Sequence, residues 1–153
     1  MAFLIVPEKE ELSFRKKLHE SKKTMAYAHG TESFPEKDWD SFYAKNVQAD
    51  PKDELYRLVF CDGCMEFTAE TSWKKDPELN GYLLDILVKG DMRREGYGQE
   101  SLRLMKGEAI SYGIHTFYAK ITPDNTDARK FLEHEGFQKQ KEENNTVLYR
   151  LDF

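Results

Sequence analysis

The strongest chemical signal in this sequence is a short loop that combines arginine with glycine. The loop consists of Arg93, Arg94, Glu95, Gly96, Tyr97 and Gly98. It lies between an apolar strand-like segment and an amphipathic helical pattern. The start of a helix has unpaired backbone N–H groups and a partial positive charge, which can hold an anion. Glycine lets the backbone approach a ligand closely and arginine adds charge-assisted donors, so the loop predicts a pyrophosphate site.

Two other glycine-rich phosphate loops do not match this segment. A Walker A loop requires lysine followed by serine or threonine after its last glycine, and Gln99 follows Gly98 instead. A Rossmann loop requires three glycines, with an acidic residue about 20 positions later. This loop has only Gly96 and Gly98 and lacks the third glycine. An ordinary connection between a strand and a helix stays the alternative to an anion site.

The elements around the loop follow from hydrophobic periodicity. The predicted strands are 3–6, Leu55–Cys61, Met65–Trp73, Tyr82–Val88, Phe117–Ile121, Phe137–Lys141 and Val147–Phe153. Four helices are predicted. The first begins at Pro7, and the second spans Pro35–Asn46. The third ends before Gly113 and has the apolar stripe Leu102, Met105, Ala109 and Tyr112, and the fourth ends before Gly136 and has Ala128, Phe131 and Leu132. The order β-α-α-β-β-β-α-β-α-β-β predicts an α/β fold with a mixed sheet and helices on both faces.

Length and charge restrict the class of protein. The 153 residues fit one domain, 1–153, and the net charge of −5 argues against a nucleic-acid partner. No apolar run approaches the ~20 residues of a membrane-spanning helix. The first residues, Met1–Val6, lack the features of a secretory signal, so we expect a cytoplasmic protein without a membrane partner.

Histidine and cysteine show no spacing typical of a metal site, so we expect no bound metal. The four histidines are scattered, and Cys61 and Cys64 have no second ligand pair at zinc-site spacing. Asp62-Gly63 between the cysteines predicts a two-residue hairpin turn, flanked by two thiols. A reversible disulfide across the hairpin is the alternative.

The loop and its flanks together resemble a known enzyme family. Arg93-x-x-Gly96-x-Gly98 is similar to the Arg/Gln-x-x-Gly-x-Gly/Ala signature of the GNAT (N-acetyltransferase) superfamily. The family's later Asn-x-x-Ala-x-x-Phe/Leu-x-x-x-x-Gly-Phe stretch resembles Asn125, Ala128, Phe131, Gly136 and Phe137. The clear similarity covers residues 82–137. It implies a GNAT-like fold, in which a mostly antiparallel sheet has splayed fourth and fifth strands.

The resemblance also implies acetyl-CoA as the cosubstrate. Its pyrophosphate would bind the backbone of Arg93, Arg94, Glu95, Gly96, Tyr97, Gly98 and Gln99. Its pantetheine arm would pair with the exposed edge of the strand that carries Ile86, Leu87 and Val88. A backbone N–H of that strand would polarise the thioester carbonyl, a role worth about 3 kcal/mol in other enzymes. Asn125 would contact the arm, and Arg129, on the helix that follows, would also bind the cofactor.

Transfer to an amine requires a proton acceptor, since a primary ammonium has a pKa of about 10.4. Glu70 is the first candidate, because it lies on the polar face of a predicted strand where related sequences often carry glutamate. Asp85 is the second, because it is the one charge within Tyr82–Val88 and burial would raise its pKa. Glu66 is the third. The alternatives are a solvated face for the glutamates and a structural ion pair for Asp85.

One position departs from the family pattern. Many members carry a tyrosine after the Phe/Leu position, where it protonates the leaving thiolate, and Leu132 stands there in this chain. The candidates to replace it are Tyr97, Tyr118 and Tyr82. A thiolate whose thiol has a pKa of about 8.5 can also leave without protonation.

The function implied by the resemblance is acetyl transfer from acetyl-CoA to a primary amine, by direct attack in a ternary complex. A domain that binds acyl-CoA as a sensor without turnover is the alternative that Leu132 favours. A third possibility is an interaction domain that no longer binds the cofactor. The intact loop Arg93–Gly98 argues against it. The acceptor stays open between a small amine and a peptide or protein amine. The C-terminal strands could pair in a homodimer.

Overall fold

Seven strands form one mixed sheet in the computed structural model, which describes residues 1–26 and 28–153. The strands are β1 (Ala2–Ile5), β2 (Glu54–Cys61), β3 (Glu66–Asp76), β4 (Gly81–Val88), β5 (Thr116–Ile121), β6 (Gln138–Glu143) and β7 (Thr146–Asp152). Their order across the sheet is β1-β2-β3-β4-β5-β7-β6. Neighbours pair antiparallel except β4 and β5, which run parallel. The predicted mixed, mostly antiparallel sheet is confirmed.

Helices cover both faces of the sheet, as predicted. They are α1 (Leu12–Glu20), α2 (Trp39–Phe42), α3 (Tyr97–Ser111) and α4 (Thr126–His134). α1 and α2 pack on one face, where Leu12, Leu18 and Leu58 are buried. α3 and α4 pack on the other face, around the buried rings of Trp73 and Phe117. Within the described residues, none of the helices is both long enough and apolar enough to cross a membrane.

β4 and β5 pair over a short length and then separate. The paired positions within the described chain are Tyr82 with Phe117 and Leu83 with Tyr118. β4 continues to Val88 while it stays paired with β3 on its other side. Beyond Leu83, the edge of β4 that faces β5 therefore has no ladder partner from β5. The predicted splay of the fourth and fifth strands is confirmed.

Two helices differ from the sequence prediction in their boundaries or type. The sequence predicts a helix from Pro7, but a 3₁₀ turn at Lys9–Glu11 precedes α1. The predicted helix Pro35–Asn46 is a composite of a 3₁₀ turn at Glu36–Asp38, α2, and a π-helical turn at Tyr43–Val47. These helix types differ in which backbone groups they pair, and the side-chain pattern of a short segment does not distinguish them.

The β2–β3 hairpin has a longer loop than predicted. Cys61 pairs with Glu66, so the turn consists of Asp62–Met65 and the predicted two-residue turn is wrong. Met65, the last residue of the turn, has a left-handed backbone conformation with φ of 56°. Cys61 therefore ends β2, whereas Cys64 lies inside the turn.

The outer edge of the sheet beside β7 is strongly polar. β6 has the sequence QKQKEE, and all of these side chains are exposed. Charged side chains on an edge strand disfavour pairing with a second sheet. A homodimer through the C-terminal strands stays a prediction that this surface does not favour.

Candidate active site

A cavity of about 570 Å³ opens where β4 and β5 separate. Strands β2 to β5 line it on one side, and α1, the segment after α1 and the composite second helix line it on the other. Its lining includes Arg15, His19, Tyr56, Glu70, Asp85, Leu87, Lys120 and Asn125. The volume lies within the range of small-molecule sites, roughly 300–1,000 Å³.

Four polar side chains form a closed cluster beside the cavity, centred on Glu70. Arg15 Nη1 donates to both carboxylate oxygens, at 2.7 and 2.8 Å. His19 Nε2 lies 2.6 Å from one oxygen, and the Tyr56 hydroxyl donates to the other at 2.5 Å. We call Arg15, His19, Tyr56 and Glu70 the closed cluster. In the described part of the chain, no group of three or more His, Cys, Asp or Glu side chains could hold a metal ion.

The closed cluster depends on helical spacing in α1, a signal that sequence reasoning missed. Arg15 and His19 are four residues apart, so they share one face of α1. The Arg15 guanidinium also lies over the rings of Phe42 and Phe34, at 4.4 and 5.2 Å from their centroids. This aromatic cover limits water and strengthens the ion pair with Glu70.

The closed cluster keeps Glu70 ionised. Burial alone would raise its pKa, but the hydrogen bond from His19 and the charge of Arg15 outweigh burial and lower the pKa. The side chain is 8% exposed, and both oxygens already accept hydrogen bonds. Glu70 therefore has little capacity to accept a substrate proton, and the geometry does not support its rank as first candidate base.

Asp85 lies on the same face of the sheet in a different environment. Its side chain is exposed where it lines the cavity. Desolvation by these surroundings, together with the negative charge of Glu70, raises the pKa of Asp85. A carboxyl group that has a raised pKa and faces a cavity is suited to accept a proton. Glu66, the third candidate, forms an ion pair with Lys89 at 3.5 Å.

The predicted pyrophosphate loop forms the entry to α3. Gly96 precedes the helix and has φ of 87°, a left-handed conformation that favours glycine. Among the described residues no side chain caps this helix start, so the N–H groups of its first turn are open to a ligand. A Cβ at Gly96 would meet no atom within 4 Å, whereas one at Gly98 would approach Phe131 of α4 to 3.2 Å. The first glycine thus serves the turn, and the second allows close helix packing.

The side chains of this loop divide between solvent and protein. Arg94, Glu95 and Gln99 are exposed, and Arg94 has a left-handed φ of 65°. Arg93 is partly buried, and its guanidinium donates to the carbonyl oxygen of Thr24. Of the two arginines, Arg94 is therefore the one whose side chain is open to an anion in solution.

Thr24 joins two loops, and sequence reasoning missed it. Its buried hydroxyl accepts a hydrogen bond from the Gly90 N–H at 3.0 Å, beside the Arg93 contact. A Cβ at Gly90 would lie 2.9 Å from the Thr24 nitrogen, so the two backbones approach closely. These contacts fix the segment after α1 to the predicted pyrophosphate loop and the turn before it. No sequence pattern marks a single threonine as the partner of residues 66 and 69 positions away.

The residues predicted to bind pantetheine lie on the unpaired edge of β4. These residues are Ile86, Leu87 and Val88. Leu87 lines the cavity, whereas Ile86 packs against the core beneath α3. Free backbone groups along such an edge can pair with an extended ligand. The edge leads from the cavity toward the loop that enters α3.

Asn125 and Arg129 both make structural contacts at the start of α4. Asn125 Oδ1 accepts a hydrogen bond from the Ala128 N–H at 3.2 Å and caps the helix, and Asn125 also lines the cavity. Arg129 donates to the Tyr149 hydroxyl and to the Pro123 carbonyl oxygen, each at 3.2 Å. Asn125 can therefore reach a ligand in the cavity, whereas Arg129 is directed toward β7.

The candidate tyrosines are not among the described residues that line the cavity. The Tyr82 hydroxyl donates to a backbone carbonyl, and Tyr118 packs closely against Gly81 at the start of β4. Tyr97 contacts the two cysteines of the β2–β3 hairpin. Leu132, where the family pattern often has tyrosine, is buried in the core. The geometry supports none of these residues as the acid for a leaving thiolate.

The sequence matches a family model over most of its length. Residues 17–137 match the model of the "Acetyltransferase (GNAT) family". The matched range contains the last turn of α1 and all of β2 to β5, α3 and α4, which together surround the cavity and the glycine loop before α3. No curated protein matches the sequence.

Solved acetyltransferase structures share the fold at low sequence identity. An acetyltransferase from Thermus thermophilus is 20% identical with a TM-score of 0.80, over 100% of this chain and 97% of that one. A GNAT-family acetyltransferase from Bacillus anthracis is 16% identical with a TM-score of 0.78, over 99% and 94%. RimL, a ribosomal L7/L12 alpha-N-protein acetyltransferase in complex with coenzyme A, is 13% identical with a TM-score of 0.79, over 99% and 94%. From the family match and this shared fold, we conclude that the chain belongs to the acetyltransferase (GNAT) family, whose members transfer acyl groups.

Proposed function

We propose that this chain transfers an acetyl group from acetyl-CoA to a primary amine in the cavity, by direct attack in a ternary complex. One observation carries the proposal. The unpaired edge of β4 connects the cavity with the open first turn of α3. Membership of the family supports acyl transfer as the chemistry.

On the cosubstrate side, the backbone N–H groups of residues 96–99 and the Arg94 side chain would hold the pyrophosphate. The edge of β4 at Ile86, Leu87 and Val88 would hold the pantetheine arm, and Asn125 would contact it. Bound acetyl-CoA supplies an activated thioester carbonyl. RimL is described as a coenzyme A complex, which supports this cosubstrate for a chain of the same fold.

On the acceptor side, we assign proton removal to Asp85. The amine arrives as an ammonium ion with a pKa of about 10.4 and must lose a proton before it attacks. Asp85 faces the cavity, and its raised pKa makes it a stronger base than an ordinary aspartate, directly or through a water molecule. Glu70 contributes as a fixed negative charge that raises the pKa of Asp85. Through Arg15, Glu70 also holds α1 against β3.

The leaving group departs as a thiolate in this proposal. A thiol with a pKa of about 8.5 gives a leaving group stable enough to depart unprotonated near neutral pH. The buried Leu132 is consistent with a mechanism that uses no tyrosine acid at that position. The acceptor we favour is a small amine, because the cavity has a volume typical of small-molecule sites.

A second candidate function is binding of acyl-CoA without turnover, which the leucine at position 132 favours. One experiment separates the two. The purified protein is incubated with acetyl-CoA and a pooled library of amines and peptides, and products are read by mass shift together with release of free thiol. We expect one small amine to gain an acetyl group in step with thiol release. Calorimetric binding of acetyl-CoA without any acetylated product supports the sensor, and no binding at millimolar acetyl-CoA contradicts both.

A further inference from the structure

Two cysteines and a tyrosine form a contact that acetyl transfer does not use. The sulfur atoms of Cys61 and Cys64 each lie 3.9 Å from the hydroxyl oxygen of Tyr97. Cys61 ends β2, Cys64 lies in the β2–β3 turn, and Tyr97 is the first residue of α3. The contact therefore joins the hairpin to the helix start that we propose binds pyrophosphate.

The two thiols are close enough to form a disulfide. Cys61 and Cys64 are three residues apart in a turn, and residues so related have Cα atoms within about 7 Å. Disulfides bridge Cα separations of about 4.4–6.8 Å. Both cysteines are free thiols here, and the Cys64 thiol donates a hydrogen bond to the backbone carbonyl oxygen of Cys61, with the sulfur and oxygen 3.9 Å apart. Little movement of the turn is needed to join them.

The environments of the two thiols suit a stepwise oxidation. Cys64 is exposed and Cys61 is half-buried, so small reagents can reach the pair. The proximity of Cys64 lowers the pKa of Cys61, and the proximity of Cys61 raises the pKa of Cys64. Cys61 therefore has the larger thiolate fraction at neutral pH, and the thiolate is the species that attacks.

We propose that Cys61 and Cys64 form a redox site that low-molecular-weight disulfides oxidise, and that Tyr97 couples its state to the start of α3. First, the Cys61 thiolate attacks one sulfur of the small disulfide, which forms a mixed disulfide and expels one small thiolate. Next, the Cys64 thiolate attacks the Cys61 sulfur and expels the second small thiol. The protein loses two electrons and two protons, and the small disulfide gains them as two thiols.

Oxidation must change the contact with Tyr97. In the reduced pair, each thiol can share a hydrogen bond with the tyrosine hydroxyl. A disulfide has no S–H donor and holds its sulfur atoms about 2.05 Å apart, so the hydroxyl loses at least one partner. The loss of one weak S–H···O hydrogen bond changes an equilibrium about two-fold. The first turn of α3 is then held less firmly to the hairpin.

The redox site is tested by intact mass spectrometry after the reduced protein is incubated with oxidised glutathione. We expect the wild type to lose two hydrogen atoms and both titratable thiols. The Cys64→Ser variant should stop at one glutathione adduct on Cys61. A wild type that keeps both thiols, or that accumulates only a glutathione adduct, overturns the proposal.

The coupling to α3 is tested without any ligand, by hydrogen exchange of the amides in its first turn. We expect these amides to exchange faster in the oxidised wild type than in the reduced wild type. Tyr97→Phe removes the hydroxyl and keeps the ring, so its exchange should not depend on oxidation. Equal exchange in the two states of the wild type overturns the coupling.

Coenzyme A affinity, measured by calorimetry in both states, adds one readout that rests on the proposed function. We expect oxidation to weaken binding about two-fold in the wild type and to leave the affinity of Tyr97→Phe unchanged. Equal affinity in the two wild-type states overturns the coupling to the ligand site. If neither state binds coenzyme A, the proposed function fails, whereas the mass and exchange measurements still decide the redox site.

Discussion

Glu70 and Asp85 lie on neighbouring strands of one sheet face, yet their surroundings are opposite. Glu70 is in register with Leu87, and Asp85 is in register with Ser72, two positions along β3. Both side chains line the cavity, but the closed cluster buries Glu70 and occupies its oxygens with donors, whereas the Asp85 side chain is exposed. The pKa of Glu70 is lowered and that of Asp85 is raised as a result.

The comparison distinguishes residues that stabilise the fold from residues that are available to a substrate. A carboxylate whose oxygens are occupied by donors stabilises the fold, and one that faces a cavity keeps lone pairs for a substrate. We call Asp85, the unpaired edge of β4 and the first turn of α3 the open site. Variants of the closed cluster should therefore change the free energy of unfolding, and variants of the open site should change turnover or ligand binding.

The largest expected effect is on turnover, in Asp85→Asn. Loss of a general base typically lowers kcat/KM by about 10²- to 10⁴-fold, while a substitution at this exposed position should change the free energy of unfolding by less than about 1 kcal/mol. Asp40→Asn is the matched control, because Asp40 is 82% exposed and pairs with Lys9 outside the cavity. Steady-state kinetics and urea unfolding measure the two quantities. A fully active Asp85→Asn removes Asp85 from the mechanism.

The same assignment predicts a pH dependence. Asp85 accepts a proton only when it is ionised, so kcat/KM of the wild type should rise with pH through the Asp85 pKa. Because that pKa is raised, the rise should lie above the pKa of about 3.9 of an ordinary aspartate. The rise should be missing from the pH profile of Asp85→Asn, and its persistence there would point to another base.

The next effect is on stability, in Glu70→Gln. Removing one charge of a buried pair leaves Arg15 uncompensated, and such changes cost about 3–5 kcal/mol of unfolding free energy. Glu66→Gln on the same strand is the control, with an expected change below about 0.5 kcal/mol, because the Glu66 side chain is 43% exposed. Urea denaturation compares them. A stable but inactive Glu70→Gln would return the role of base to Glu70.

The stability contributed by Glu70 should also depend on pH. Its folded-state pKa lies below its unfolded value, so the contribution is present above the unfolded pKa of about 4.3. It is lost as the pH falls through the lower folded-state pKa. The difference in unfolding free energy between wild type and Glu70→Gln should therefore shrink under acid conditions. A difference that is constant with pH would contradict the lowered pKa.

A smaller effect is expected on cosubstrate binding, in Arg94→Glu. Replacing an exposed cation beside the first turn of α3 with an anion should weaken acetyl-CoA binding about ten-fold and leave unfolding nearly unchanged. Lys139→Glu makes the same charge change on β6, where it should not affect binding. Calorimetry at two salt concentrations measures the effect, which should fall at high salt. Equal losses in both variants would mean that net charge alone is responsible.

The smallest effect is on backbone strain, in Gly96→Ala. The left-handed φ of 87° should cost about 1 kcal/mol for alanine, although its Cβ meets no neighbour. Gly107→Ala, inside α3 and equally free of contacts, should instead stabilise the protein by about 0.5–1 kcal/mol. Thermal and urea unfolding show whether each substitution raises or lowers the free energy of unfolding. Stabilisation by both substitutions would contradict the left-handed turn before α3.

Short-range signals account for what the sequence predicted correctly. Gly96 and Gly98 precede the stripe of α3 within one contiguous segment, so the helix start and its free N–H groups could be predicted without long-range contacts. The apolar run of β4 likewise predicted a central strand. Turn length and helix type failed, because a one-dimensional pattern does not show which backbone groups pair at Asp62–Met65 or Tyr43–Val47.

The sequence by itself determined the order of elements, the glycine loop before α3 and a short set of candidate carboxylates. Tertiary structure alone decided which carboxyl group has a lowered pKa and which has a raised one. Arg15 and Glu70 are 55 positions apart, and Thr24 and Arg93 are 69 apart, so no local pattern reports these contacts. The pKa of a carboxyl group depends on the charges, donors and solvent within a few ångströms of it, and folding brings those groups together from distant parts of the chain.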